Sequence, residues 1–220
     1  MRRSGHARAG SNLRARKPIA LAVFIALILL GIAGCKTFSI TVAESCPRHE
    51  QWTAVVFPFS DAKASYETVD LSVYGYTGER GSGVAVARHF SRAFQERETF
   101  RPVDDLAFRR LLIGEKLSLS QLAGVEDARA CELGRRLKAD MVVRGEVLAY
   151  RTSWFLFVPR SKVLLDLRGL DPAAGAVLWK ARVGDASWVH GEGRIAADLA
   201  RELAQKVQRD LGSPSGPGTK

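Results

Sequence analysis

The chain has 220 residues with 46% apolar and 25% charged side chains, which excludes a wholly disordered chain, a collagen and a polytopic membrane protein. The formal charge of +10 points first to nucleic acid, yet six of the 33 basic residues (Arg2, Arg3, Arg8, Arg14, Arg16 and Lys17) precede residue 18 with no acidic residue near them. From Cys35 onward 27 basic side chains face 23 acidic ones, too even a balance for the dense basic face of a nucleic-acid-binding domain.

Behind the basic stretch, residues 19–33 read IALAVFIALILLGIA, fifteen positions without a charge between Pro18 and Gly34-Cys35. A spanning helix needs about 20 apolar residues, so this length, with a basic flank before it and small residues after it, reads as a signal-peptide core. The run Ile32-Ala33-Gly34-Cys35 resembles the lipobox of bacterial lipoproteins. That resemblance implies diacylglycerol on the Cys35 thiol, cleavage before it and acylation of the new amino terminus. Acyl chains at about 0.8 kcal/mol per buried CH₂ then hold the protein at a bilayer without a spanning helix. An uncleaved anchor with an incidental cysteine is the other reading of the segment. By the sorting pattern of enteric lipoproteins, Lys36 after the cysteine implies the outer membrane, facing the periplasm. In that oxidising compartment the two remaining cysteines, Cys46 and Cys131, form either a disulfide or two unpaired thiols, Cys131 packed as a small apolar residue.

Residues 35–51 carry little periodicity and read as a tether, about 22 Å in r.m.s. reach when flexible. A domain is expected over 52–211. Trp52 to Phe59, WTAVVFPF, is apolar on both faces, as in a covered strand. The stretch 60–81 reads as a long loop with tyrosines at 66, 74 and 76 and a short strand near Leu71 to Tyr74. Ser82 caps a helix whose Val86, Phe90, Ala93 and Phe94 share one face. Phe100 to Val103 is a short strand. Asp104 or Asp105 caps a second helix, and Ser120 opens a third helical region with the stripe Ala130, Leu133, Gly134, Leu137. Strands follow at Met141 to Tyr150, Lys162 to Leu170 and Ala176 to Val183, the last two joined by the turn Asp171 to Gly175. A final helix, Arg194 to Leu211, carries Ile195, Leu199, Leu203, Val207 and Leu211 four apart. Residues 212–220, rich in Gly, Pro and Ser, form a disordered tail. This order predicts a single mixed α/β sheet, parallel in its first half and closing in an antiparallel hairpin, packed by about four helices.

The segments VVFPFSD, VAVARHFSRAF, FRPV, ACELGRRLKADMVVRGEV and VLLDLRGLDPAAGAVLWKARV resemble one periplasmic domain type. It is shared by the curli-secretion channel lipoprotein, the lipoprotein activators of penicillin-binding proteins and the amino-terminal domain of TolB. The resemblance spans roughly Trp52 to Leu211 and rests on fold residues. Gly134 lets a helix approach the sheet, Gly145 thins a strand under a packed side chain, and Asp171 to Gly175 builds a turn. No catalytic role comes with them. Two features depart from the pattern: there is no room for the two long hairpins of a channel subunit, and the tether is shorter than that of the synthase activators.

Chemistry-bearing motifs are sparse. His6, His49, His89 and His190 are scattered and no Cys/His pair has zinc spacing. His190-Gly191-Glu192 reads as a loop, Gly81-Ser82-Gly83 as a helix cap rather than a phosphate loop, and Asp104-Asp105 as a cap rather than a carboxylate pair. No enzyme, metal or cofactor is expected. Ser153 to Pro159, SWFLFVP, is the feature folding leaves partly unexplained. Trp154, Phe155 and Phe157 lie in an apolar run flanked by Arg151, Arg160 and Lys162, either a buried strand extension or a contact for a partner or an anionic lipid interface. The residues thus describe a lipid-anchored, non-enzymatic binding or accessory component of an envelope assembly or secretion complex. The alternative is a self-associating, ring-forming secretion subunit; a regulator of peptidoglycan synthesis stands further back.

Overall fold

Five-residue runs such as WTAVV, rich in β-branched side chains, prefer the extended backbone, and stripes repeating every three or four residues prefer the helix. The computed structural model describes residues 36–44, 46–47, 49–61, 76–77, 82–155 and 158–212, all within the unit Cys35–Lys220. In chain order the strands are β1 (Thr37–Val42), β2 (Trp52–Val56), β3 (Tyr76–Thr77), β4 (Phe100–Pro102), β5 (Met141–Phe155), β6 (Val158–Leu170) and β7 (Val177–Ser187). The helices are α1 (Ser82–Gln95), α2 (Asp105–Gly114), α3 (Leu119–Ala123), α4 (Asp127–Arg136) and α5 (Glu192–Gly212). One mixed sheet runs β1-β7-β6-β5-β2-β4, with β3 beside the far end of β5. β2 is parallel to β4 and β5, and the other pairs are antiparallel.

Two cores lie on opposite faces of this sheet. On one, α1 and α5 cover Trp52, Met141, Val143, Leu165 and Trp179, and the five α5 residues spaced four apart are all buried. Phe94 links helix to sheet there, edge-on to Phe100 at 4.8 Å and stacked on Trp179 at 6.4 Å. On the other face α2, α3 and α4 cover Val55, Phe57, Val142 and Leu170, with Val177 half-buried beside them. β2 is therefore apolar on both sides, whereas Lys180 and Arg182 of β7 point away from the buried Trp179, Ala181 and Val183.

Close approaches explain two sequence features. A Cβ on Gly145 would stand 2.5 Å from Leu167 Cδ2 and 2.8 Å from Phe59 Cγ, so Phe59 packs onto β5 only because that position is bare. Gly175 takes φ +69°, the left-handed region that favours glycine. It closes a turn in which Asp171 Oδ1 accepts from the Ala173 and Ala174 N–H groups at 2.7 and 3.2 Å.

The structure corrects several expectations. The tether read over 35–51 is in part a strand: Thr37–Val42 pairs antiparallel with β7, from Thr37↔Gly184 to Val42↔Trp179. Phe38, Ile40 and Val42 rest against the first core, which is why the segment is ordered. Ser118, not Ser120, opens α3 with a capping box involving Gln121, and a break before Asp127 divides the third helical region in two, so that the described residues hold five helices. β5 and β6 extend past their expected ends at Tyr150 and Lys162. The strand expected at Leu71 to Tyr74 falls outside the described residues, and β3 is Tyr76–Thr77.

Because Gly145 has no room for a side chain, Gly145→Val should lower unfolding stability by about 2 kcal/mol. Chemical denaturation of the two proteins checks this, and equal midpoints would contradict the packing described.

Candidate functional site

The β5–β6 hairpin is the longest ladder in the sheet, pairing Val142↔Leu170 through Phe155↔Val158. β7 leaves it at Ser161↔Ser187, so the pairs from Ser153↔Arg160 to Phe155↔Val158 extend beyond that neighbouring strand. The base of the hairpin is fixed by polar contacts. Thr152 Oγ1 and Ser161 Oγ lie 2.7 Å apart, and Thr152 also donates to the Glu192 carboxylate at the start of α5. The Arg160 guanidinium sits 5.2 Å from the centre of the Trp188 ring, a cation–π distance. A shallow cavity of about 290 Å³ beside the hairpin is lined by Thr37, Arg151, Arg160, Lys162 and Asp185, three cations to one carboxylate.

A second cleft, of about 760 Å³, lies over the sheet face that α2–α4 leave open. Its floor follows the cross-strand register. Ser39, Arg182, Asp166 and Glu146 form one row, and Thr41, Lys180, Arg168 and Arg144 the next. Arg182 grips Asp166 with two bonds of 2.6 Å. Arg144 is buried where the open face meets the α3–α4 wall, donating to Asp127 at 2.5 Å, to Ala123 O at 3.4 Å and to Val125 O. Burial pulls the Arg144 guanidinium below its ordinary value and Asp127 opposes that. Arg168 reaches the same Asp127 oxygen at 3.0 Å. Sequence reading passed over Arg144, although a lone cation inside the apolar run MVVRGEV signals a position needing a buried partner.

Of the residues singled out from sequence, Cys35 and Phe157 lie outside the described residues. Trp154 and Phe155 are placed in β5 by their backbone alone. Cys46 and Cys131 are free thiols: Cys46 packs against the α1/α5 core and Cys131 lies in the α2–α4 core. Burial pushes both thiols up, with added repulsion from Asp171 at Cys46 and from Asp127 at Cys131. Asp104 is the cap of α2, accepting from Leu106 and Ala107 N–H. His49 stacks edge-on against Trp52 at 4.4 Å. His89 is half-buried, and its burial, with Arg92 nearby, holds it below the usual histidine range. Among the described residues no group of three or more His, Cys, Asp or Glu side chains could hold a metal, and no helix is long and apolar enough to cross a membrane.

Comparison with known proteins gives likeness of fold. No family model and no curated protein matches the sequence. Among solved structures, a PelC dodecamer from Paraburkholderia phytofirmans aligns with TM-score 0.51 at 17% identity, over 82% of this chain and 99% of that one. Lipoprotein GNA1162 from Neisseria meningitidis aligns with TM-score 0.48 at 12% identity, over 72% and 99%. LpoB from E. coli aligns with TM-score 0.42 at 11% identity, over 62% and 57%.

The Arg144–Asp127 contact is the most consequential polar pair of this region, because one member has left water. Asp127→Ala should cost about 2 kcal/mol by stranding a buried cation, while Arg144→Met, which removes the charge and keeps the volume, should cost less. Unfolding midpoints in the reverse order would show that the pair itself stabilises the fold.

Proposed function

We propose that the protein is a lipid-anchored, non-enzymatic component of the cell envelope, held at the outer membrane through Cys35 and acting by binding an envelope partner. The observation that carries this reading is where β1 begins. Thr37 is level with Gly184, which is level with Leu164 on β6. Cys35 stands two positions earlier, so the chain carries it at most about 7 Å beyond Thr37. In the same direction β6 runs six more residues to Val158, about 20 Å. The anchor and the hairpin therefore leave the sheet at the same end. Arg151 and Lys162, paired across the hairpin, fall at about the level the anchor reaches, and the backbone of Trp154, Phe155 and Val158 lies beyond it. That order of cations and then apolar residues suits headgroups and the acyl boundary beneath them, a layer about 5–10 Å deep. The domain thus rests on its bilayer with only Lys36 between anchor and sheet.

Intact-mass analysis of detergent-extracted protein should find residues 1–34 removed and acyl groups present, with both features lost in Cys35→Ser. Full-length mass without acylation would end the reading. For the hairpin, Trp154→Ala combined with Phe157→Ala should keep the melting temperature and weaken quenching of tryptophan fluorescence by brominated phosphatidylglycerol in vesicles carrying the acylated protein. Unchanged quenching with a lowered melting temperature would place the segment in the core instead. The fold likeness to a protein solved as a dodecamer favours one second reading, a ring-forming subunit. A large closed oligomer on size measurement supports it, and a monomer removes it.

A further inference from the structure

The crossovers of the parallel strands split. β2 passes into α1 on one face of the sheet and returns as its neighbour β4, whereas β4 passes into α2, α3 and α4 on the other face before β5. Where adjacent strands send their connections to opposite faces, a crevice opens beyond their carboxyl ends, the place where open α/β sheets hold ligands. Here it has a volume of about 270 Å³.

Three features of the crevice converge. First, a strand edge is open inside it. The β2–β4 ladder stops at Ala54↔Pro102, where the chain turns into α2. β2 continues to Val56. Its even-numbered residues face β4, as Trp52 N–H shows by donating to Thr99 O at 2.8 Å, while Phe57 N–H donates to Val143 O on the β5 side. Val56 therefore turns its N–H and C=O to the vacant side, with no strand next to it among the described residues. Second, the walls are apolar: Val84 and Ala87 from α1, Val103 and Phe108 from the α2 side. Third, Arg88 on the rim is exposed and has no ion-pair partner among the described residues, whereas Asp105 across from it is held by Arg109 at 2.8 Å.

We propose that this crevice captures the free carboxyl end of an extended polypeptide whose last residue is apolar. Val56 pairs with its main chain, the apolar side chain enters between Val84, Ala87, Val103 and Phe108, and Arg88 meets the terminal carboxylate. The row next to Val56 is blocked below by β4, so a strand entering it must stop, which selects a chain terminus over a passing segment. Main-chain pairing at a sheet edge with a side-chain pocket beside it is an established mode of peptide recognition, and a cation facing a carboxylate strengthens the bond. This site is independent of the anchor at Cys35.

The test titrates the purified full chain in detergent with the tetrapeptide acetyl-Thr-Val-Thr-Phe as free acid and as carboxyl-terminal amide, followed by calorimetry. The acid should bind at least about tenfold more tightly than the amide, Arg88→Gln should bring the acid down to the amide's level with the melting temperature unchanged, and Ala87→Phe should block both. No binding of either peptide, equal affinity of acid and amide, or binding indifferent to Arg88→Gln would each overturn the proposal. Should Ala87→Phe fail to fold, the acid-to-amide ratio and Arg88→Gln still decide it.

Discussion

Unequal helix cover on the two faces of the sheet governs the rest of the structure. α1 and α5 lie along one face and bury residues from β4 to β7, with β1 resting against the margin. The three shorter helices on the other face reach only β2, the start of β5 and the turn-side ends of β6 and β7. Every strand must solve this asymmetry in its own sequence. β2 and the start of β5 are apolar throughout, while β6 and β7 alternate, because a half-covered strand gains free energy from only one set of its side chains.

The boundary between covered and open sheet is where polar groups become costly. Arg144 sits there, too deep for water to solvate fully, and the protein answers with a carboxylate and two main-chain carbonyls from the α3–α4 connection. The same boundary explains why like charges stand next to one another. Arg144, Arg168 and Lys180 are cross-strand neighbours, an arrangement that is unfavourable unless countercharge is brought in. Asp127 supplies it from α4, reaching both arginines. α4, whose packing reaches only the Leu170 end of β6, is thereby tied by charge to the middle of that strand as well.

The parts of the fold that could be read from the sequence are those whose side chains repeat the geometry of their element. The five α5 residues four apart, the α1 stripe and the alternation around Trp179 announce themselves because each buries a continuous face. β1 does not, since as an edge strand it only half-buries Phe38, Ile40 and Val42, and its other positions are Ser and Thr. The far half of the hairpin was equally quiet: Arg151, Thr152, Ser153, Arg160 and Lys162 give no apolar period, yet the backbone ladder continues through them because pairing needs N–H and C=O groups, not side chains. Asp104 as a cap was legible from its position before an apolar stripe. The state of Cys46 and Cys131 was not, because their spacing in the chain says nothing about the sheet that separates their two cores.

The short path from Cys35 to β1 has a mechanical consequence. A flexible tether of sixteen residues lets a domain sample orientations and search for partners at a distance of tens of ångströms, and affinity then depends on effective concentration. The proposed anchor on Cys35 would join an edge strand with one intervening residue, which removes that freedom. The sheet would then keep to a narrow range of tilts, and Lys36 is further restrained by its ion pair with Glu202 of α5. Under the proposed anchoring, orientation would become a property of the fold: the hairpin end would face the bilayer, and the opposite end, where the Asp171 turn and the last turn of α5 lie, would face away. A partner of a domain anchored in that way would meet a fixed set of surfaces, which lowers the ordering entropy of its binding in the same way that preorganisation does for any rigid receptor.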